Sequence, residues 1–484
     1  MISTIALDEP QTRGDIVRFS WSVSPESALA RETTIELQFP NGLDLARVPR
    51  GVLWIAALAV LHPLWILLRP CRVRLPFAFS PGEAEFWQRL LDTEIASLEA
   101  LRGTRFFERC IFFEYAGDAL PVPTALPERG RVAAAFSGGK DSLLQAAVLH
   151  ELGMTPTLVT TTSPLPPLGD HLTNRRAYVL REATKRFEVP LVEVRSNARG
   201  LWENGFAARL GYPLAVSEMT DTHLYFASLL IAGVASGSTQ LFLASEADVQ
   251  TSAVRDGRFV QISHFMYSVV TQACLAALLA PWNVRYGSLT SPLFNAQVQR
   301  LLWTRYPEVA DLQYSCWRVA GDDATCSDCN QCLRVALGIL AAGRDPRDAG
   351  FAMDRVVRRA SSWFPKAVAG DDAEALPEAL SRASLSDQLI ATVRSIDPAF
   401  ARSVLSDDAF DAFAAFAARL ATESIGPIGR RSSFDVFLDP AVRDRACALY
   451  AQAFPGAAAE DSVATAARTR DAIAYVTAPL SPGG

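Results

Sequence analysis

Hydrophobic positions between residues 126 and 345 fall into short runs separated by longer stretches of helical spacing. The runs 132–136, 157–161, 191–194, 240–244 and 284–287 predict strands, and the segments between them are long enough for crossover helices. That pattern defines an α/β class, a doubly wound parallel sheet with helices on both faces. Residues 1–125 read differently, as an α+β unit. Positions 17–23 and 33–39 alternate apolar and polar residues as half-buried strands do, and Pro40-Asn41-Gly42 is a turn. Ser80-Pro81-Gly82-Glu83 has the spacing of a capping box with proline at the first helical position, which predicts a helix to about Leu101. Trp87, Leu90, Leu91 and Ile95 recur on one of its faces and read as core. Residues 346–484 are rich in Ala, Arg and Asp, with helices expected near 376–394, 405–421 and 440–454. This helical region carries no recognisable chemistry and suits a lid, a dimer contact or a protein partner. Residues 427–437 read as a connector and 479–484 as a frayed tail.

Residues 51–68 are eighteen positions without a formal charge, bounded by Arg47, Arg50, Arg69 and Arg72. That length only just reaches a membrane span. His62 and Pro63 interrupt it, so it reads instead as a buried helix to about Leu61 followed by a strand-like run, 64–68. The first fifteen residues carry acidic groups and no apolar run, so neither a signal nor a transit peptide is expected, and the cytoplasm is the expected compartment. With 484 residues, half of them apolar, the chain is long enough for two or three cores. Its net charge of −6 leaves no electrostatic footprint for nucleic acid and points to a small-molecule substrate.

Chemistry concentrates in two places. Ser137-Gly138-Gly139-Lys140-Asp141-Ser142 follows the strand 132–136 and opens a helical run. A glycine turn there bares backbone N–H groups at a helix N-terminus, a site for phosphate. The common nucleotide loop is excluded, because Lys140 is followed by Asp141 and position 134 is Ala. Two glycines let the backbone approach a pyrophosphate, Ser137 and Ser142 donate hydroxyls, Lys140 adds charge and Asp141 suits Mg2+. The second place is Cys316, Cys326, Cys329 and Cys332, the last three in a C-x2-C-x2-C run among Ser, Asp, Asn and Gln. Four thiolates suit a structural, tetrahedral Zn2+ with no open position. An iron–sulfur cluster is the competing occupant, although no further cysteine follows Cys332 closely. Cys71, Cys110, Cys274 and Cys447 stand in apolar surroundings and read as reduced core thiols.

The Ser-Gly-Gly-Lys-Asp-Ser turn resembles the signature of the PP-loop ATP pyrophosphatases, which cut ATP between its α and β phosphates. Together with the cysteine knuckle it resembles two groups of that superfamily, the MurL-type UDP-N-acetylmuramoyl-L-alanyl-L-glutamate epimerases and, more distantly, the 7-cyano-7-deazaguanine synthases. The segment 241–246 (Leu-Phe-Leu-Ala-Ser-Glu), Gln261-Ile262-Ser263-His264, Tyr286-Gly287-Ser288-Leu289 with Pro292, and Tyr314-Ser315-Cys316 are similar to the epimerase group in order and kind. The chain departs from these groups in two places. Residues 217–221 replace the Val-Pro-Gly-Arg-Asn segment of the deazaguanine synthases, and Ser137 stands where the epimerases carry glycine. The resemblance implies ATP, Mg2+, structural Zn2+ and an acyl-adenylate formed on a small-molecule or peptide carboxylate. Lys140, Asp141, Glu246 and His264 are the expected catalytic residues, with Asp248 a further candidate and Asp221 and His223 weaker ones. A terminal amino-acid epimerase is the first expectation. An amide-, nitrile- or conjugate-forming ligase, a tRNA-thiolating enzyme and a nucleotide-sensing module are the alternatives.

Overall fold

The computed structural model describes residues 2–25, 33–40, 42–68, 70–102, 111–162, 169–198, 201, 217–250, 252–255, 258–261, 267, 269–314, 316, 325–365, 377–423 and 439–455. Cys110, the connector 427–437 and the tail 479–484 lie outside these residues.

Five strands arise where the runs of the central segment predict them: β7 (Val132–Ala135), β8 (Pro156–Thr162), β9 (Leu191–Ser196), β10 (Gln240–Phe242) and β13 (Arg285–Gly287). All four pairings among them are parallel, in the spatial order β13-β10-β7-β8-β9. Sequence order therefore runs outward from β7 through β8 to β9, then returns to the other side of β7 as β10 and β13. Successive side chains of a strand face opposite ways. Accordingly Val132, Ala134 and Phe136 enter one core, whereas Ala133, Leu241 and Leu243 enter another.

Helices cover both faces. In the first core, α1 (Arg50–Leu67) packs on α5 (Ser217–Ala235), and α6 (Val269–Leu279) adds buried residues to it. In the second, α3 (Lys140–Glu151) packs on α4 (Gly169–Phe187) and on α7 (Asn295–Arg305), with the short α8 (Pro307–Ala310) and α9 (Asn330–Ala341) beside α7. Fully burying one Leu or Val of these layers contributes about 2 kcal/mol, so the sheet's two faces supply much of the stability.

The amino-terminal residues extend the same sheet. Strands β1 (Ser3–Leu7), β2 (Gln11–Arg13), β3 (Ile16–Ser24), β4 (Thr34–Gln38), β5 (Cys71–Leu75) and β6 (Ile111–Tyr115) bring it to eleven strands. The junction is antiparallel, with Leu37 opposite Ser196 and Gln38 opposite Arg195. A separate hairpin joins β11 (Ser252–Arg255) to β12 (Arg258–Gln261). Helix α2 (Pro81–Arg102) begins at the expected box: Glu83 N–H donates to Ser80 Oγ at 3.3 Å and Ser80 N–H to Glu83 Oε2 at 2.9 Å.

One expectation is overturned. Residues 64–68 form no strand; α1 continues through Pro63 to Leu67. Proline removes the N–H that would reach the Ala59 carbonyl. His62 Nδ1, 2.7 Å from Ala59 O, supplies a donor to that carbonyl, and burial on every side favours an uninterrupted helix. Among the described residues no helix is long and apolar enough to cross a membrane.

Beyond residue 346 come α10 (Met353–Ser361), α11 (Pro377–Arg394), α12 (Pro398–Val404), α13 (Asp407–Leu420) and α14 (Pro440–Ala453). Side-chain oxygens of Asp397, Ser406 and Asp439 cap the last three. Val356, Ile390, Phe413 and Tyr450 enter the second core, and the Tyr450 hydroxyl donates to Leu289 O at 2.7 Å.

Candidate functional site

The 137–142 turn leaves the carboxyl end of β7, the strand about which the order reverses, and Gly139 caps α3. Gly138 holds φ +81°, and a Cβ there would lie 2.7 Å from Val179 Cγ1, so only glycine fits. Ser137 N–H donates to Ser142 Oγ at 3.3 Å, and Ser142 Oγ donates to Gly139 O at 3.0 Å. Tyr314 N–H donates to Gly138 O at 2.7 Å, tying the turn to the residues just before the cysteine knuckle.

Three sequence-predicted residues meet here. Lys140 Nζ lies 2.8 and 2.7 Å from the two Asp141 oxygens and 2.5 Å from Glu246 Oε2. Glu246 follows β10, the neighbour of β7, and also accepts from Asn295 Nδ2 at 3.1 and 3.2 Å. Burial alone would lower the Lys140 pKa, but the Asp141 and Glu246 charges outweigh it and raise it. Burial acts against the Glu246 carboxylate too, yet Lys140 and Asn295 keep it below its usual range. Asp141 is pushed up to about 7, because burial and the Glu246 charge outweigh Lys140. Its side chain keeps 27% exposure, and a cation bound there would favour the ionised form.

A pocket of about 160 Å³, open to solvent, adjoins this cluster. Ser137, Asp141, Ser142, Ser245 and Glu246 line it together with Arg176. Arg176 Nη2 donates to Thr160 Oγ1 at 2.6 Å and to Thr161 O at 3.0 Å, which fixes the guanidinium at the β8 end of the pocket. Sequence reading does not find Arg176, one arginine among several on α4, nor the pocket tyrosines Tyr225 and Tyr267. Asn295 carries a weak signal, a polar residue opening a helix shortly after Pro292.

Asp248 stands beneath the pocket rather than in its lining, 2% exposed. It accepts from Asn295 N–H at 2.9 Å, Ser384 Oγ at 3.0 Å and Gln388 Nε2 at 2.8 Å, the last two on α11. Burial and the Glu246 charge raise it to about 6. His264 and the side chain of Asp221 lie outside the described residues. His223 turns away from the loop towards Glu94, 2.9 Å off.

The four knuckle cysteines are brought together, and their sulfurs could hold a metal ion. Cys326 and Cys332 Sγ are 3.7 Å apart, close to the edge of about 3.8 Å that metal–sulfur bonds of about 2.3 Å give in a tetrahedron. Cys326 N–H donates to Cys316 Sγ and Cys332 N–H to Cys329 Sγ, each at 3.4 Å, the pattern that stabilises ligating thiolates. The donor set is compatible with Zn2+. Of the remaining thiols among the described residues, Cys71 and Cys274 are buried and Cys447 is half-buried. No family model matches the chain, and no curated protein matches it.

Proposed function

We propose that the chain is an ATP pyrophosphatase of the PP-loop type, built on a doubly wound sheet, that activates a carboxylate by adenylation and releases pyrophosphate. The observation that carries this reading is the meeting of the 137–142 turn with Glu246 at the carboxyl ends of adjacent strands β7 and β10, where the strand order reverses. Ligands of open α/β sheets lie in the crevice at such a reversal. The pyrophosphate end of ATP would rest on the backbone amides opening α3 and on Lys140. A substrate carboxylate oxygen bonds to the α-phosphorus while the bond to the α–β bridging oxygen breaks, which gives acyl-adenylate and pyrophosphate. Arg176 offers its charge to the substrate carboxylate or the α-phosphate across the pocket. Asp141 and Glu246 are the carboxylates that would hold Mg2+, whose chemistry is neutralisation of the leaving phosphates. The four-cysteine knuckle would hold Zn2+ in a structural role, bracing the turn through Tyr314.

Of the fates open to the acyl-adenylate, epimerisation of a terminal amino-acid residue is the one favoured by the sequence resemblance, and amide or nitrile formation is the alternative. The test is acid-dependent exchange of labelled pyrophosphate into ATP. Lys140→Ala and Gly138→Ala should each reduce exchange at least ~100-fold, the scale of losing a preorganised charge or donor. Tight ATP binding without exchange for any acid would sink the enzyme reading in favour of a sensor. With an active acid found, deuterium uptake at its α-carbon in heavy water marks the epimerase, and its absence marks a ligase.

A further inference from the structure

His62 of α1, Glu94 of α2 and His223 of α5 converge away from the loop and the knuckle, and all three are at most 1% exposed. His62 Nε2 lies 3.1 Å from Glu94 Oε2, and His223 Nε2 lies 2.9 Å from Glu94 Oε1. One ligand atom from each residue lies within 4.8 Å of the others. The imidazole rings are stacked, with centroids 3.8 Å apart and planes inclined at 36°. Separations near 3 Å are those of neighbouring ligands about one metal at bonds of about 2.0–2.2 Å.

The tautomer gives the second observation. His62 Nδ1 faces the Ala59 carbonyl, which can only accept, so Nδ1 carries hydrogen. In the neutral ring, Nε2 then directs a lone pair at Glu94 Oε2, and two acceptors would face each other at 3.1 Å. A cation between them resolves the conflict. Metal-bound imidazoles commonly show this arrangement, with the distal N–H on a carbonyl. A proton on His62 would also resolve it, with neutral His223 donating its own Nε2–H to Glu94 Oε1, and is the rival occupant that the experiment below separates. Protonating both rings would place two like charges in stacked contact in a dry interior. One divalent ion satisfies both imidazoles and the carboxylate at once.

We propose that His62, Glu94 and His223 hold one divalent transition-metal ion of the zinc and iron class, a structural clasp between α1, α2 and α5 that is separate from the cysteine knuckle. Two imidazoles and one carboxylate suit these metals. The enclosed position favours a structural role, and Tyr225, two residues beyond His223, lines the pocket, so the clasp also seats one pocket wall.

The full chain, expressed with cobalt supplied, tests the assignment. Wild type should carry two Co2+ per chain, one with the thiolate charge-transfer bands of a sulfur site and one with visible d–d bands alone. His62→Gln and His223→Gln should each carry one, keeping the thiolate bands and losing the other set. A wild type holding a single ion with sulfur-only scattering in X-ray absorption would overturn the proposal and leave a shared proton as the occupant. So would folded variants that retain two ions. Should neither variant fold, X-ray absorption on wild type decides: imidazole scattering supports the clasp and its absence refutes it.

Discussion

Glu246 and Asp248 sit two residues apart, yet burial moves them in opposite directions. Glu246 touches the Lys140 ammonium and stays ionised. Asp248 accepts from the neutral donors Asn295 N–H, Ser384 and Gln388, and burial with the nearby Glu246 charge outweighs them, so its pKa rises to about 6. Between the ordinary carboxylate value and about 6, the folded protein holds a proton that the unfolded chain has released. The unfolded state binds fewer protons in that window, so stability falls as pH rises through it. The contribution is fully present below about pH 4 and lost above about pH 6, and amounts to about 2–3 kcal/mol for a shift of roughly two units. Urea unfolding at pH 4.5 and 7 should show this slope in wild type and a smaller one in Asp248→Asn. An equal slope in both would assign the effect elsewhere. The sequence marks Glu246 and Lys140 by their neighbours, but not their contact, because nothing in either segment encodes the 2.5 Å meeting of residues 106 positions apart.

Among the elements, the knuckle and the glycine turn are mechanically joined. Tyr314, two residues before Cys316, donates to Gly138 O, so the cysteine loop holds one side of the glycine turn. With the proposed Zn2+ and ATP, chelation of the knuckle should therefore lower the melting temperature and weaken ATP binding together, by about tenfold or more for the latter if the turn loses its brace. Thermal scans and ATP titration with and without chelator check this, and unchanged ATP affinity in a chelated, still folded protein would separate the two. Local chemistry makes the five parallel strands and the α2 capping box legible, because each depends on a short window of residues. Helix α1 is less legible, since the penalty of Pro63 is a local rule that burial and the His62 hydrogen bond override. Strands β5 and β6 are short, and their identity depends on parallel partners that the sequence does not display.

At the scale of the molecule, the composition divides the chain at about 125 and 345, whereas the sheet runs across the first division through Leu37 and Ser196. The Ser384 and Gln388 contacts with Asp248 cross the second. A fragment of residues 126–345 would expose the edge of β9, uncover α5 where α1 packs, and leave Asp248 without two of its donors. Such a fragment should be insoluble or lack a cooperative thermal transition, and ATP binding by it at full-length affinity would refute that expectation. These long-range pairings are what a sequence pattern cannot carry, since each half satisfies its own periodicity. The placement of α11 behind Asp248 and of Tyr450 against Leu289 also sets an order in time. A chain emerging from the ribosome displays its glycine turn early, but the support for Asp248 is made only after some 390 residues, and the last clasp on the β13 loop after 450. Under the proposed function, nucleotide capture would therefore await synthesis past residue 450, and a chain stopped before it would carry the Ser-Gly-Gly-Lys-Asp-Ser turn without the means to hold it in shape.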